Sequence, residues 1–118
     1  MKTRTKQRES ENVTRYADIF TALGAEHRLQ IVRLLLSAHP DGMVVSEIQE
    51  ELQLSGSTLS HHLDKLKNEE LVTVTRESTF LRYRANAEVL QEVLRFLFAE
   101  CCSKNACVPA DQVVKLCR

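Results

Sequence analysis

The sequence predicts a mainly α fold that carries one β-hairpin, in the order α-α-α-α-β-β-α, and three observations predict it. Apolar residues recur at helical spacing over most of the chain from Val13 to Phe98. The period switches to strict alternation once, at Val72-Thr73-Val74-Thr75 and again at Leu81-Arg82-Tyr83-Arg84. Just before that switch, two short helical patterns are separated only by Gln53-Leu54-Ser55, which is a helix-turn-helix arrangement.

Taken in order, residues 1–12 are polar and lack periodicity, which predicts a flexible, solvated N-terminal arm. Val13, Tyr16, Ala17, Phe20 and Leu23 then follow one helical stripe, and Leu29, Ile31, Val32, Leu35 and Leu36 a second. Gly24 divides the two helices, and Pro40 with Asp41-Gly42 ends the second. In the third helix Ser46 stands three residues before Gln49, the spacing of a capping box, with Ile48 and Leu52 on one face. Ser55 is placed to cap the fourth helix, whose Leu59, Leu63 and Leu66 form an apolar stripe. The hairpin turns near Glu77-Ser78-Thr79, and without the glycine or asparagine of a two-residue turn it is expected to have a looser loop. Asn86 is placed to cap a last helix running toward Cys102. Its Val89, Leu90, Val93, Leu94, Phe96, Leu97 and Phe98 cover more than one face. So apolar a helix calls for a second copy of the chain, hence a homodimer. The core region is thus 13–102, followed by a cysteine-bearing tail, 103–118.

Composition excludes several classes. A length of 118 residues, 43% hydrophobic and 27% charged, with three glycines and two prolines, describes one ordinary globular domain. The N-terminus has no apolar signal region and no stretch spans a bilayer, so the expected location is the cytoplasm, with no membrane partner. No phosphate-binding glycine loop, Cys-x-x-Cys after a strand or supported Ser/His/Asp set is present, which argues against an enzyme and against an organic cofactor. Sixteen basic residues balance sixteen acidic ones, so a DNA-binding face must come from local asymmetry.

The order of elements, with "ALGAEHRLQIVRLLL", "LSGSTLSHHLDKLKNEELV" and "TFLRYRAN", resembles the ArsR/SmtB family of winged helix-turn-helix repressors that sense metals and metalloids. The likeness covers residues 14–100. It departs from the family pattern at Gly56, where a polar side chain is common, and in a wing without glycine. The resemblance implies a homodimer on double-stranded, pseudo-palindromic operator DNA. In a helix-turn-helix the first turns of the second helix meet base edges, here Ser57, Thr58, Ser60 and His61. Lys65 and Lys67 near the end of that helix, with Arg76, Arg82 and Arg84 of the wing, are candidates for phosphate contacts. The competing reading of the same residues is a solvated surface, or a winged helix that binds only protein. His61 and His62 diverge by about 100° around a helix and cannot share one ion.

All four cysteines follow residue 100. In a reducing compartment such a cluster is better read as metal ligands or redox thiols than as structural disulfides. Two inducer sites known in the family are missing: Met43, Val44 and Val45 provide no thiolate before the recognition helix, and the terminal helix has no histidine. Cys101, Cys102 and Cys107 remain as a soft, three-thiolate candidate site. With the family resemblance this points to As(III) or Sb(III) as inducer, released DNA as the response, and Cys117 as a bystander. Cadmium, lead or zinc, the last with Cys117 as fourth ligand, and a thiol redox signal are the alternatives.

Overall fold

The computed structural model describes residues 2–100 and 103–104, with side chains from residue 7 onward. The chain forms two units, Met1–Asn86 and Ala87–Arg118. The first holds α1 (Lys2–Leu23), α2 (Glu26–Ser37), β1 (Met43–Val44), α3 (Val45–Leu52), α4 (Gly56–Asn68), β2 (Val72–Glu77) and β3 (Phe80–Ala85). The second holds α5 (Ala87–Phe98). The expected order is present, with β1 added.

Its core is a continuous apolar set: Ile19 and Ala22 of α1, Ile31, Val32 and Leu35 of α2, Ile48 of α3, and Leu59, Leu63 and Leu66 of α4, closed by Leu71, Val72, Tyr83 and Ala85. No polar or charged residue is buried among the described residues. At roughly 1.5–3 kcal/mol for each large side chain removed from water, the α4 leucines are a principal anchor of the helix-turn-helix.

Three helix boundaries differ from expectation. The polar arm is helical from Lys2 onward; residues 7–15 are exposed, as expected of a solvated segment, but lysine, arginine, glutamine and glutamate sustain a helix without an apolar stripe. On α1 the buried residues are Ile19 and Ala22, whereas Val13 and Phe20 of the predicted stripe stand exposed. The second boundary is the start of α3, which is capped at Val44 and not at Ser46, because the Glu47 carboxylate accepts the Val44 N–H at 3.0 Å. A valine side chain has no acceptor to complete the reciprocal half, so only one arm of a capping box exists. In the second unit, α5 ends at Phe98, short of the expected Cys102, and Ser103 N–H bonds to the Glu100 carbonyl just beyond. Val89 and Val93 of α5 are buried, while Phe96 and Leu97 remain exposed.

The turn that joins α4 to the wing is a Schellman motif. The Glu70 N–H bonds to the Lys67 carbonyl and the Leu71 N–H to the Leu66 carbonyl, both at 2.9 Å, with Glu70 left-handed at φ 61. Leu66 and Leu71, which the motif brings together, are both fully buried. A glutamate occupies the position that glycine usually takes, which is why no sequence signal marked it. The Asn86 amide nitrogen donates to the Glu70 carbonyl at 2.9 Å, and the Asn86 N–H to the Leu71 carbonyl, so the far end of the wing is tied to the same turn.

The sheet has the order β1-β3-β2, all antiparallel. β1 pairs Met43 with Tyr83 and Val44 with Arg82; two residues are too few to show alternation. The hairpin is tighter than expected. Glu77 pairs directly with Phe80, and Ser78 takes the positive φ of 58 that a glycine would otherwise supply. Gly42, buried at φ 72, lies so close to β3 that a Cβ would strike the Tyr83 carbonyl.

Gly42→Ala is expected to lower unfolding free energy by more than about 2 kcal/mol, measured by urea denaturation, since both the dihedral and the space are refused. Glu70→Gly should do the opposite. Relief of the left-handed strain outweighs the added chain entropy and the exposed Arg15 ion pair, giving a gain of roughly 0.5–1 kcal/mol.

Candidate nucleic-acid interface

Helix α4 is fixed at its start by Ser55, whose hydroxyl oxygen accepts the Thr58 N–H at 3.3 Å and whose hydroxyl lies 2.8 Å from Thr58 Oγ1. The predicted cap is therefore present. With Leu59, Leu63 and Leu66 turned into the core, the 100° step of the helix sends Ser57, Ser60 and His61 to the opposite side, and all three are exposed. Thr58 is half-buried and its hydroxyl is engaged by the cap. The four predicted base-reading residues thus divide into three exposed on the surface and one that holds the helix start. Asp64 is exposed one turn beyond His61 and places a negative charge beside these residues.

The wing arginines do not share a face. In the register of the hairpin, Thr73, Thr75 and Glu77 of β2 lie on one side with Arg84, Arg82 and Phe80 of β3. Arg76 lies on the other side, in line with Val72 and Val74 but beyond the core, where it pairs with Leu81. Glu77 holds both arginines of its own side. Arg82 Nε donates to Glu77 Oε1 at 2.9 Å, and Arg84 Nη2 stands 3.7 Å from Glu77 Oε2. Arg82 also reaches the Gly42 carbonyl at 3.4 Å, and Arg84 donates to Thr75 Oγ1 at 2.7 Å. The Glu77 hydrogen bond is also the leading reason that the Arg82 guanidinium holds its proton even more firmly than usual. Among the described residues Arg76 forms no ion pair, and Lys65 and Lys67 are exposed on the last turns of α4.

Behind the reading face, Arg28 links three elements. Its Nε donates to the Ala22 carbonyl at 2.6 Å, and its Nη1 contacts His62 Nδ1 at 3.1 Å. A guanidinium can only donate, so His62 Nδ1 is the acceptor and the ring is neutral with its proton on Nε2. His27 and His61 flank it with ring centroids at 5.5 and 5.7 Å. Burial first, then the neighbouring charges of Arg28, His27, His61 and Lys65, lower the His62 pKa below its ordinary 6.5. Among the described residues no group of three or more His, Cys, Asp or Glu side chains is placed to hold a metal ion. Cys101, Cys102 and Cys107, the predicted inducer site, and Cys117 lie outside the described residues. No helix among the described residues is long and apolar enough to cross a membrane.

Residues 25–74, which span α2 through the start of the wing, match the family described as "Bacterial regulatory protein, arsR family". The chain is 33% identical over 87 residues to an uncharacterized HTH-type transcriptional regulator of Methanocaldococcus jannaschii, an alignment covering 74% of this chain and 96% of that protein. It belongs to the ArsR family. Another relative is the arsenical resistance operon repressor of Staphylococcus aureus, 30% identical over 90 residues, covering 76% of this chain and 84% of the repressor. Among solved structures, a homodimeric winged helix-turn-helix DNA-binding domain from Mycobacterium bovis superposes with a TM-score of 0.63 at 26% identity, over 86% of this chain and 94% of that one. ArsR regulators are DNA-binding homodimers and not enzymes, so α3 and α4 are the helix-turn-helix of such a regulator and β2 and β3 its wing.

The neutral His62 makes the ArsR scaffold pH-sensitive in one direction. A histidine whose pKa is lower folded than unfolded takes up a proton on unfolding, so stability is full above pH 6.5 and falls as the pH drops below it. The melting temperature is expected to decline over that range in the wild type. His62→Gln, which keeps a side-chain acceptor for Arg28 but cannot titrate, should show a shallower decline.

Proposed function

We propose that this ArsR-family regulator is an As(III)/Sb(III)-responsive repressor. It binds a pseudo-palindromic operator as a homodimer and releases it when the metalloid binds the thiolates of Cys101, Cys102 and Cys107. The observation that carries the DNA half is the capped helix α4, which presents Ser57, Ser60 and His61 to solvent on a helix held by three buried leucines. Side chains of this kind, on the first turns of a recognition helix, are placed to meet base edges in the major groove. Arg76, Lys65 and Lys67, with Arg82 and Arg84, supply the phosphate contacts.

Dimerisation is supported by apolar surface in each unit. Val13 and Phe20 on α1, and Phe96 and Leu97 on α5, are large side chains left in water by a single chain. The metalloid reading draws support from the donor set. Three cysteines within seven residues, with no histidine or carboxylate between them, favour a soft ion that forms three bonds to sulfur. The likeness to an arsenical resistance operon repressor points the same way. Their position just after α5 gives a ligand access to the dimer helix, so binding there can alter how two copies pack and hence the spacing of their recognition helices. Only a difference in metalloid affinity between the two packings can drive release.

The reading is tested by fluorescence anisotropy on a duplex that the protein selects from a random library, titrated with arsenite. Wild-type protein and Cys117→Ser are expected to release the duplex, whereas Cys101→Ser, Cys102→Ser and Cys107→Ser each hold it. Full DNA binding at saturating arsenite overturns the metalloid reading. Release by cadmium, lead or zinc in its place selects a soft-metal sensor, and release by peroxide a thiol switch.

A further inference from the structure

Glu77 is a carboxylate at the turn end of the wing face that carries Arg82 and Arg84, and neither core burial nor pairing with β1 requires it. It is exposed, lies beside a turn, and touches neither the core nor β1. A threonine or glutamine there would leave the hairpin register unchanged. What the residue does is occupy two arginines at once, Arg82 through a 2.9 Å hydrogen bond and Arg84 at 3.7 Å. Those arginines are anchored so that their guanidinium groups stay on that face: Arg82 to the Gly42 carbonyl and Arg84 to the Thr75 hydroxyl. Arg76, on the opposite face, has no such competitor among the described residues.

From this geometry we infer that Glu77 is a specificity-determining residue, an internal competitor for DNA phosphate that must be displaced before Arg82 and Arg84 engage the backbone. The inference rests on the reading above that these arginines contact phosphates. An exposed ion pair is weak and opens readily, so a phosphate presented in line with both guanidinium groups replaces the carboxylate. A phosphate held loosely, as on a duplex that the recognition helix does not fit, gains little over an acceptor already in place. Glu77 therefore suppresses the sequence-independent part of binding, which the arginines would otherwise supply on any duplex. It acts on discrimination more than on affinity for the correct site.

The test compares wild type and Glu77→Gln by anisotropy on two duplexes, one of random sequence and one selected by the wild-type protein, across a range of salt concentrations. Glutamine keeps the size and removes the charge. On the random duplex the variant is expected to bind about tenfold more tightly. Its log K against log[salt] should be steeper by about 2, one added phosphate contact for each wing of a dimer at roughly 0.9 per contact. On the selected duplex the gain should be several-fold smaller. Unchanged binding to random DNA, or an equal gain on both duplexes, overturns the proposal. The double variant Arg82→Ala/Arg84→Ala separates the failure of the proposal from that of the reading beneath it. If that variant leaves the salt slope on the selected duplex unchanged, the face does not reach phosphate and both fall. If it lowers the slope while Glu77→Gln has no effect, only the role of Glu77 falls. Equal melting temperatures for wild type and Glu77→Gln exclude a change in folding as the cause.

Discussion

Burial of Leu59, Leu63 and Leu66 determines what the rest of this molecule can do, because it fixes the rotation of α4 about its own axis. Once three leucines at spacings of four and three point inward, Ser57, Ser60 and His61 have no choice but to face water. A rotation by one residue would turn the reading face by about 100° and expose a leucine in its place. Both ends of the helix reinforce the setting. Ser55 fixes where it starts, and the turn through Glu70 fixes where it stops by stacking Leu71 beside Leu66. Because that same turn receives two hydrogen bonds from Asn86, the base of the wing inherits its position from α4.

The electrostatics follow from that frame. A chain with no net charge cannot rely on long-range attraction to a polyanion, so its affinity depends on where single cations stand. Few stand free. Arg28 is committed to the Ala22 carbonyl and His62, Arg15 lies near Glu70, and Arg82 and Arg84 share Glu77. The pairing of Arg28 with a neutral histidine has a structural use. It joins α2 to α4 through a ring that sits next to His61, so the back of the recognition helix is held by a donor that cannot lose its proton.

Most of the fold was legible because its signals are periodic. The α4 stripe, the Ser55 cap, the three-residue turn and the alternation of the two wing strands are all local patterns, and each appears where the pattern puts it. What escaped was set by interactions that periodicity does not carry. β1 is two residues long, and it exists because Tyr83 and Arg82 offer it partners. The α3 start depends on a carboxylate reaching back to Val44, and the stop of α4 on a glutamate forced into a conformation that glycine prefers. On α1 the helical stripe of Val13, Tyr16, Ala17, Phe20 and Leu23 does not contain the residues that are buried in one chain, Ile19 and Ala22. For the candidate interface, spacing located the recognition-helix residues. The pairing of Glu77 with two arginines became visible only with the hairpin register, which places Arg82 two residues past Glu77's partner Phe80 and Arg84 two further along the same face.

If the protein releases DNA on ligand binding, as proposed, it is constrained on the side of strong binding as well as weak. A ligand acting through the dimer changes affinity by its coupling free energy, typically about 1–3 kcal/mol, or roughly 5- to 150-fold. That range switches occupancy only if unliganded binding is not far above the threshold. Several unpaired arginines on each of two wings would add sequence-independent affinity well past it, and the protein would stay bound to any duplex regardless of its ligand. Neutral overall charge and cations already engaged by the protein itself keep binding within reach of such coupling. Under the proposed ligand response, acidic residues among the basic ones serve that constraint, and the balance of sixteen against sixteen suits a DNA-binding protein that dissociates.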